Sequence, residues 1–150
     1  MDRKNFLKTC SALCLGGGAL SALAAGCGTS NYFAATTVDQ NRISIKKSEF
    51  NTGDDASTLK RKYVLIRLMQ YNFPIIIYRF DDGTYSALLM ECTHKNCELQ
   101  PQGDFLICPC HGSEFSNTGI VQNPPAEENL RTFQTTQDNE HIYIQLRAAQ

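Results

Sequence analysis

Hydrophobic and polar residues alternate in short runs along most of the chain, and turn-forming residues separate these runs. Four segments at 63–69, 74–80, 84–90 and 141–146 are rich in β-branched, aromatic and other apolar residues. The sequence Asp-Asp-Gly at 81–83 joins two of them and is typical of a tight hairpin turn. No long segment has the period of an amphipathic helix. The pattern therefore predicts an all-β fold of antiparallel strands.

Shorter segments extend this framework at both ends. A strand is expected from Arg42, where isoleucines alternate with polar residues, and another at 105–107. The segments 130–136 and 141–146 are predicted to pair as a final hairpin, with the alternate apolar residues of the second strand on the core side. His141 lies near the turn of this hairpin, and we expect it to be a surface residue.

Composition limits the classes of function. The formal net charge of -1 and the pI near 6.3 leave no basic field for nucleic acid. A hydrophobic fraction of 42% is ordinary for a folded chain, and 150 residues are enough for one domain with additional segments. We place this domain at 41–150.

Residues 1–27 differ from the rest of the chain and are predicted to be a signal peptide. Arg3, Lys4 and Lys8 form a positively charged start, and residues 13–25 are small and apolar. This apolar part is short for a membrane-spanning helix, and three consecutive glycines within it weaken a helix further. A charged start followed by a short apolar part is typical of an export signal.

Two motifs in this segment resemble export and lipidation signals. The charged start resembles a twin-arginine signal in which lysine replaces the second arginine, and Leu-Ala-Ala-Gly-Cys at 23–27 resembles a bacterial lipobox. That resemblance implies cleavage and lipid attachment at Cys27. Residues 28–40 are small and polar, and this composition predicts a flexible tether. An uncleaved N-terminal membrane anchor is the alternative. Either anchor predicts an exported protein held at the membrane, on the periplasmic or cell-envelope side.

Two boxes rich in cysteine and histidine carry the candidate chemistry. The first reads Cys-Thr-His-Lys-Asn-Cys at 92–97, and the second reads Cys-Pro-Cys-His-Gly-Ser-Glu-Phe at 108–115. Four cysteines and two histidines so close together indicate a metal, a disulfide or both. A zinc site could use cysteine and histidine at similar spacings. A network of disulfides alone would leave both histidines without a role.

Each box offers one thiolate and one imidazole to a metal. Cys92 and His94 are two residues apart and would point the same way at the end of an extended strand. Cys108 and His111 are three residues apart, a spacing that suits a tight turn. Two thiolates and two imidazoles form the ligand set of an iron–sulfur cluster in which histidine replaces cysteine on one iron.

The two boxes together resemble the Rieske signature, Cys-x-His-x-x-Cys followed by Cys-x-Cys-His-Gly-Ser. The resemblance implies one [2Fe-2S] cluster, with the buried iron on Cys92 and Cys108 and the outer iron on His94 and His111. It also implies a Rieske-type fold of antiparallel β sheets, with a small, rubredoxin-like cluster-binding subdomain at about 91–126.

The resemblance assigns roles to residues around these ligands. Cys97 and Cys110 would form a disulfide that joins the two cluster loops and closes about 14 residues, which the chain-entropy model values at about 3 kcal/mol. Ser113 would donate a hydrogen bond to a bridging sulfide, and Pro124 would lie in a proline loop that covers the cluster. Phe115 takes the place of a tyrosine that high-potential members carry, so a lower reduction potential is expected.

The resemblance implies one-electron transfer by a membrane-tethered periplasmic carrier or by a small subunit of a redox complex. Its partner would be a redox protein that donates or accepts the electron, or a larger redox subunit. Lys95, beside the two histidines of the predicted site, favours a polar, electrostatic partner. No separate catalytic site is predicted. A Rieske subunit of a quinol-oxidising cytochrome bc complex and the small subunit of a molybdenum oxidase are the alternatives.

Overall fold

The structure, a computed structural model, describes residues 31–39, 41–52 and 60–146. The predicted signal peptide, with the lipobox residue Cys27, lies outside these residues. Within the described ranges, no helix has both the length and the apolar character needed to cross a bilayer. Their helical structure is a short 3-10 turn at Lys47–Phe50.

The described residues form twelve strands, numbered here in chain order. They are β1 (Thr36–Asp39), β2 (Arg42–Lys46), β3 (Tyr63–Ile66), β4 (Ile75–Arg79), β5 (Tyr85–Leu89), β6 (Gln100–Gln102), β7 (Phe105–Ile107), β8 (Glu114–Ser116), β9 (Val121–Asn123), β10 (Thr132–Phe133), β11 (Thr135–Gln137) and β12 (His141–Gln145). The strands build three sheets, which we name the base sheet (β1-β2-β12-β11), the middle sheet (β10-β5-β4-β3) and the loop sheet (β6-β7-β8-β9). Neighbouring strands are antiparallel in each sheet, so the predicted all-β class is confirmed.

The middle sheet is buried on both faces, which explains why its strands are apolar almost without interruption. Ile75 and Ile77 of β4 pack in one core with residues of the base sheet. Ile76 and Tyr78, which alternate with them, pack in a second core with residues of the loop sheet. Each of these four side chains is at most 1% exposed. Successive residues of one strand therefore stabilise two different interfaces, at roughly 1.5–3 kcal/mol for each fully buried large apolar side chain.

The core between the middle and loop sheets includes two of the candidate ligands. Its buried residues are Leu65, Ile76, Tyr78, Leu88, Met90, Cys92, Leu99, Leu106, Cys108, Phe115, Ala126 and Leu130. The candidate thiols are therefore part of a packed apolar interior, and the chain enters both boxes directly from strands of that interior.

The final hairpin is divided between two sheets. β11 pairs with β12 as predicted, with Thr135 opposite Ile144. β10, in contrast, pairs with β5 of the middle sheet, with Phe133 opposite Ala87. The chain thus crosses from the middle sheet to the base sheet at Gln134. Alternation within 130–136 could not indicate this crossing, because the strand that follows it, Thr135–Gln137, contains no apolar residue.

Part of the segment expected to be a flexible tether is paired with the domain. β1 pairs with β2, and Phe33 forms a parallel bridge with Leu65 at the edge of the middle sheet. The Tyr32 hydroxyl donates a 2.8 Å hydrogen bond to Glu49, and the Arg61 guanidinium lies 3.8 Å from the centre of the Tyr32 ring. Residues 31–39 therefore cover unpaired strand edges, which otherwise invite association. The compact unit begins at Asn31 and not at 41.

Candidate metal centre

The two boxes follow strands of two different sheets, one of the middle sheet and one of the loop sheet. β5 leads through Met90 into Cys92, and β7 leads directly into Cys108. We name the two turns that follow the first cysteine loop (92–97) and the second cysteine loop (108–113). Met90 and Leu106, which precede the loops, are both buried in the core between the middle and loop sheets.

The first cysteine loop is a tight turn and not an extended strand end. The Cys92 N–H donates to the Cys97 carbonyl at 2.9 Å, and the Asn96 N–H donates to the Cys92 carbonyl at 2.8 Å. Asn96 has a φ of 52°, in the left-handed region that asparagine tolerates better than most residues. The expectation that Cys92 and His94 are neighbours on an extended strand is therefore wrong, because the backbone bends between them.

The second cysteine loop repeats this backbone. The Cys108 N–H donates to the Ser113 carbonyl at 2.8 Å, and the Gly112 N–H donates to the Cys108 carbonyl at 2.9 Å. Gly112 has a φ of 81° and holds the position that Asn96 holds in the first loop. The two loops are thus equivalent turns that place Cys92 and Cys108 at corresponding first positions.

The two first-position thiols are buried and adjacent. Cys92 is 0% exposed and Cys108 is 1% exposed, and neither belongs to a disulfide. Burial, together with a hydrogen bond to the Cys92 thiol, raises the pKa of the Cys108 thiol. A metal binds thiolates, so loading of this site must release protons.

The two histidines of the boxes lie beside each other. The ring centroids of His94 and His111 are 4.9 Å apart, and the rings meet edge to face at 84°. Nδ1 of His94 is buried and has no hydrogen-bond partner among the described residues. A buried polar atom without a partner is costly, and a bound metal would satisfy it. The donor set of two thiols and two imidazoles therefore fits a mixed cysteine–histidine iron–sulfur cluster.

The predicted disulfide between Cys97 and Cys110 is present, with Cα atoms 6.6 Å apart. It joins the last position of the first loop to the third position of the second. The sulfur atoms of these two residues and of Cys108 lie within 4.8 Å of one another. Disulfide sulfurs are not thiolates, so this trio is not itself a metal site.

A third loop (123–128) holds both cysteine loops. The Ala126 N–H donates a 3.0 Å hydrogen bond to the hydroxyl of Ser113, which is 0% exposed. The Thr93 hydroxyl donates a 2.7 Å hydrogen bond to the Glu128 carbonyl. Pro124 lies in this loop, and its side chain is exposed. The Rieske resemblance implies a role for Ser113 but none for Thr93, because a lone threonine between two predicted ligands has no distinguishing spacing.

Two further residues of the boxes differ in burial. Phe115 is 0% exposed and packs in the same core as Cys92 and Cys108. Lys95 is exposed at the outside of the first cysteine loop. The inner side of the centre is therefore apolar, and the outer side is polar.

Comparison with known families identifies this centre. Residues 47–134 match the model of the Rieske [2Fe-2S] domain. The chain belongs to the Rieske [2Fe-2S] domain family. The match includes both boxes and the third loop, and a Rieske domain carries one [2Fe-2S] cluster.

Individual relatives differ in what they do. The chain is 32% identical over 68 residues to the cytochrome b6-f complex iron-sulfur subunit 2 of Nostoc sp., a match that covers 43% of this chain and 38% of that one. It is 36% identical over 81 residues to the oxygenase component of dicamba O-demethylase from Stenotrophomonas maltophilia, covering 47% of this chain and 24% of the enzyme. The chain thus matches less than half the length of these relatives. Their shared part is the Rieske domain, not a common activity.

A solved structure is similar over most of its own length. The plasma membrane Rieske protein PetC3 from Synechocystis PCC 6803 superposes with a TM-score of 0.50 at 28% identity, covering 56% of this chain and 86% of that one. The predicted Rieske-type fold is therefore confirmed. A two-iron cluster exchanges one electron at a time, so the chemistry of this domain is electron transfer.

Proposed function

We propose that the chain is an exported, membrane-tethered electron carrier or small redox-complex subunit, and that Cys92, His94, Cys108 and His111 hold its cluster. The ligand assignment rests on two buried free thiols and on two imidazole rings that contact each other. Nδ1 of one of these rings, that of His94, is buried and has no hydrogen-bond partner among the described residues. When bound, the cluster accepts and returns one electron. The protein residues hold the ligands in place and exclude water from the sulfur side.

The proposed location rests on the sequence and on the disulfide. Structural disulfides persist in oxidising compartments and are rare in the cytosol. The segment before Asn31 resembles an export signal that ends in a lipobox at Cys27. Lipid attachment at Cys27 would hold the domain at the cell-envelope side of the membrane.

Electron paramagnetic resonance of the dithionite-reduced protein, with its iron content, tests the ligand set. His111→Ala is expected to abolish the signal of a cysteine–histidine [2Fe-2S] centre and to lower the bound iron. His141→Ala makes the same chemical change on β12, outside the site, and is expected to leave both unchanged. An unaltered signal in His111→Ala would contradict the assignment. A colourless wild-type protein that contains zinc would contradict the whole proposal.

Phe115 sets a prediction for the reduction potential. Its buried ring has no hydroxyl to donate to a ligand sulfur, so we expect a potential below that of relatives with tyrosine at this position. A hydrogen bond to a ligand sulfur stabilises the reduced, more negative cluster, and Phe115→Tyr should raise the midpoint potential by on the order of 60 mV, a tenfold change for a one-electron couple. Phe133→Tyr, in the core between the base and middle sheets, is the control and should not change the potential. A potential titration followed by the cluster signal measures both.

A second candidate is a subunit of a quinol-oxidising cytochrome complex, favoured by the similarity to the Nostoc sp. subunit. The exposed Lys95 and the apolar Phe115 weigh against it, since the first suits a polar partner and the second a lower potential. Co-purification with a membrane cytochrome, together with a potential high enough to accept electrons from quinol, would favour this candidate over a separate carrier.

A further inference from the structure

The middle sheet has two distinct ends. At one end Arg79 pairs with Tyr85, next to the turn at 81–84, and we name this the hairpin end. At the other end Ile75 pairs with Leu89, just before the first cysteine loop, and we name this the cysteine end. The register of β3 continues the same arrangement, because Tyr63 lies opposite Tyr78 near the hairpin end and Ile66 lies opposite Ile75 at the cysteine end.

The loop sheet has the same polarity as the middle sheet. Its first turn is fixed at the hairpin end, where the Tyr78 hydroxyl donates to the Phe105 carbonyl at 3.4 Å and Lys62 pairs with Asp104 at 2.7 Å. β7 runs from this point towards Cys108. Both cysteine loops therefore project from one end of the domain. The turn between β4 and β5 and the turn between β6 and β7 lie at the other end.

The described chain begins at the hairpin end. The bridge between Phe33 and Leu65 is parallel, so Asn31 lies on the side of Tyr63 and not on the side of Ile66. Two backbone hydrogen bonds fix this direction: the Leu65 N–H donates to the Tyr32 carbonyl at 2.9 Å, and the Ala34 N–H donates to the Leu65 carbonyl at 2.8 Å. The stacking of Arg61 on Tyr32 holds the segment there.

An anchor at Cys27 would leave little free chain. Cys27 precedes Asn31 by four residues, which span at most about 14 Å when fully extended. β5 alone spans about 13 Å between the two ends of the middle sheet. The cysteine loops lie beyond that length. Such a short connection cannot reach around the domain to turn the cysteine end towards the bilayer.

We propose that the hairpin end of the domain faces the membrane surface, and that the two cysteine loops point into the aqueous phase to meet a water-soluble redox partner. The proposal deepens the proposed function and rests on its anchor at Cys27. The exposed rim of the cysteine end agrees with an aqueous partner, because it combines Lys95 with Glu127 and Glu128 and has no wide apolar surface among the described residues of the three loops.

Energy transfer from single tryptophans tests the orientation, because the natural chain contains no tryptophan. Tyr32→Trp places the donor near the hairpin end. Met69→Trp places it in the connection between β3 and β4, at the cysteine end, where the side chain is fully exposed. The full-length variants are anchored on vesicles with dansyl-labelled lipid headgroups. Each signal is divided by that of the same variant on unlabelled vesicles, which removes quenching by the cluster itself.

We expect energy transfer several-fold higher for Tyr32→Trp than for Met69→Trp. Equal transfer, or higher transfer for Met69→Trp, overturns the proposal. The same pair is also prepared with residue 27 as its first residue and coupled through the Cys27 thiol to maleimide-bearing lipid headgroups, which keeps the four-residue connection. If the natural chain fails to bind vesicles but the coupled pair shows the expected difference, the lipid anchor is wrong and the orientation imposed by the short connection stands. If the coupled pair shows no difference, the orientation is wrong.

Discussion

The two cysteine loops share a backbone and differ in almost every side chain. In both loops, the N–H of the first residue donates a hydrogen bond to the carbonyl of the sixth residue, and the fifth residue has a positive φ. The histidine occupies the third position of the first loop but the fourth position of the second. The disulfide cysteine occupies the sixth position of the first loop, Cys97, but the third position of the second loop, Cys110. The common turn therefore fixes the thiol, while the histidine can shift by a position.

The loops also differ in how their last residue is held. In the first loop this residue is Cys97, which is held covalently. In the second it is Ser113, which is held by the hydrogen bond from Ala126. The second loop therefore depends on the third loop for support, whereas the first loop is joined covalently to the second through the disulfide.

Removal of the disulfide should have the largest effect on stability. Cys97→Ser combined with Cys110→Ser is expected to lower the free energy of unfolding by about 3 kcal/mol, because the unfolded chain regains the freedom of the closed loop. Chemical unfolding of the oxidised protein measures the change. Each single variant should lose nearly as much as the double variant, since either change removes the same bond. Singles that each lose half would contradict this account.

The fifth positions of the two loops should respond differently to substitution. Gly112→Ala is expected to cost about 1–2 kcal/mol, because alanine is strained at positive φ while its Cβ would meet no atom within 4 Å. Asn96→Gly keeps the backbone accessible and should change stability by less than about 0.5 kcal/mol. Gly103→Ala is the matched control, since Gly103 also has a positive φ, 67°, and open space around it.

The unfolding midpoint and the cluster signal together separate backbone strain from damage to the site. Gly112→Ala and Gly103→Ala should lose similar amounts of stability, but only Gly112→Ala should also alter the cluster signal. An altered signal in Gly103→Ala would show that the strain is not local to the loop.

The smallest effect is expected at a turn outside both loops. Hydrogen bonds from the Tyr143 hydroxyl and from the N–H groups of His141 and Glu140 hold the pKa of Asp138 at about 2. A lowered pKa stabilises the fold above the unfolded value near 3.8, and this contribution is lost as the pH falls towards 2. Asp138→Asn should therefore lower the melting temperature slightly at about pH 6 and progressively less below about pH 4. A difference that is constant with pH would contradict the role of the carboxylate.

Much of the fold was predictable because burial leaves a pattern in the sequence. The apolar runs of β3, β4 and β5 and the Asp-Asp-Gly turn predicted three strands of the middle sheet, and the resemblance of the two boxes to the Rieske signature implied the disulfide. The short strands β6 and β8 gave no such pattern. Each has three residues, with only Phe115 fully buried in β8. Strands of this length are defined by their neighbours and not by their own alternation.

The pairing of residues 31–39 could not be predicted for a related reason. Residues 31–39 are mostly exposed, and their large apolar residues, Tyr32, Phe33 and Val38, are too few and too irregularly spaced to show an alternation. The position of this segment depends on the free edge of β3 and on contacts of Tyr32 with Glu49 and Arg61, which are distant in sequence. The contact of Thr93 with the third loop was hidden in the same way, because one hydrogen bond to a backbone carbonyl leaves no trace in the spacing of residues.

The middle sheet has a consequence for how the protein must be made. Its strands present isoleucine, leucine and tyrosine towards the loop sheet as well as towards the base sheet. A nascent chain whose loop sheet has not yet packed on the middle sheet would therefore expose a continuous apolar surface to water. Such surfaces promote aggregation during synthesis. Packing of the loop sheet on the middle sheet, which buries Ile76, Tyr78 and Leu106 in one core, removes that surface from water.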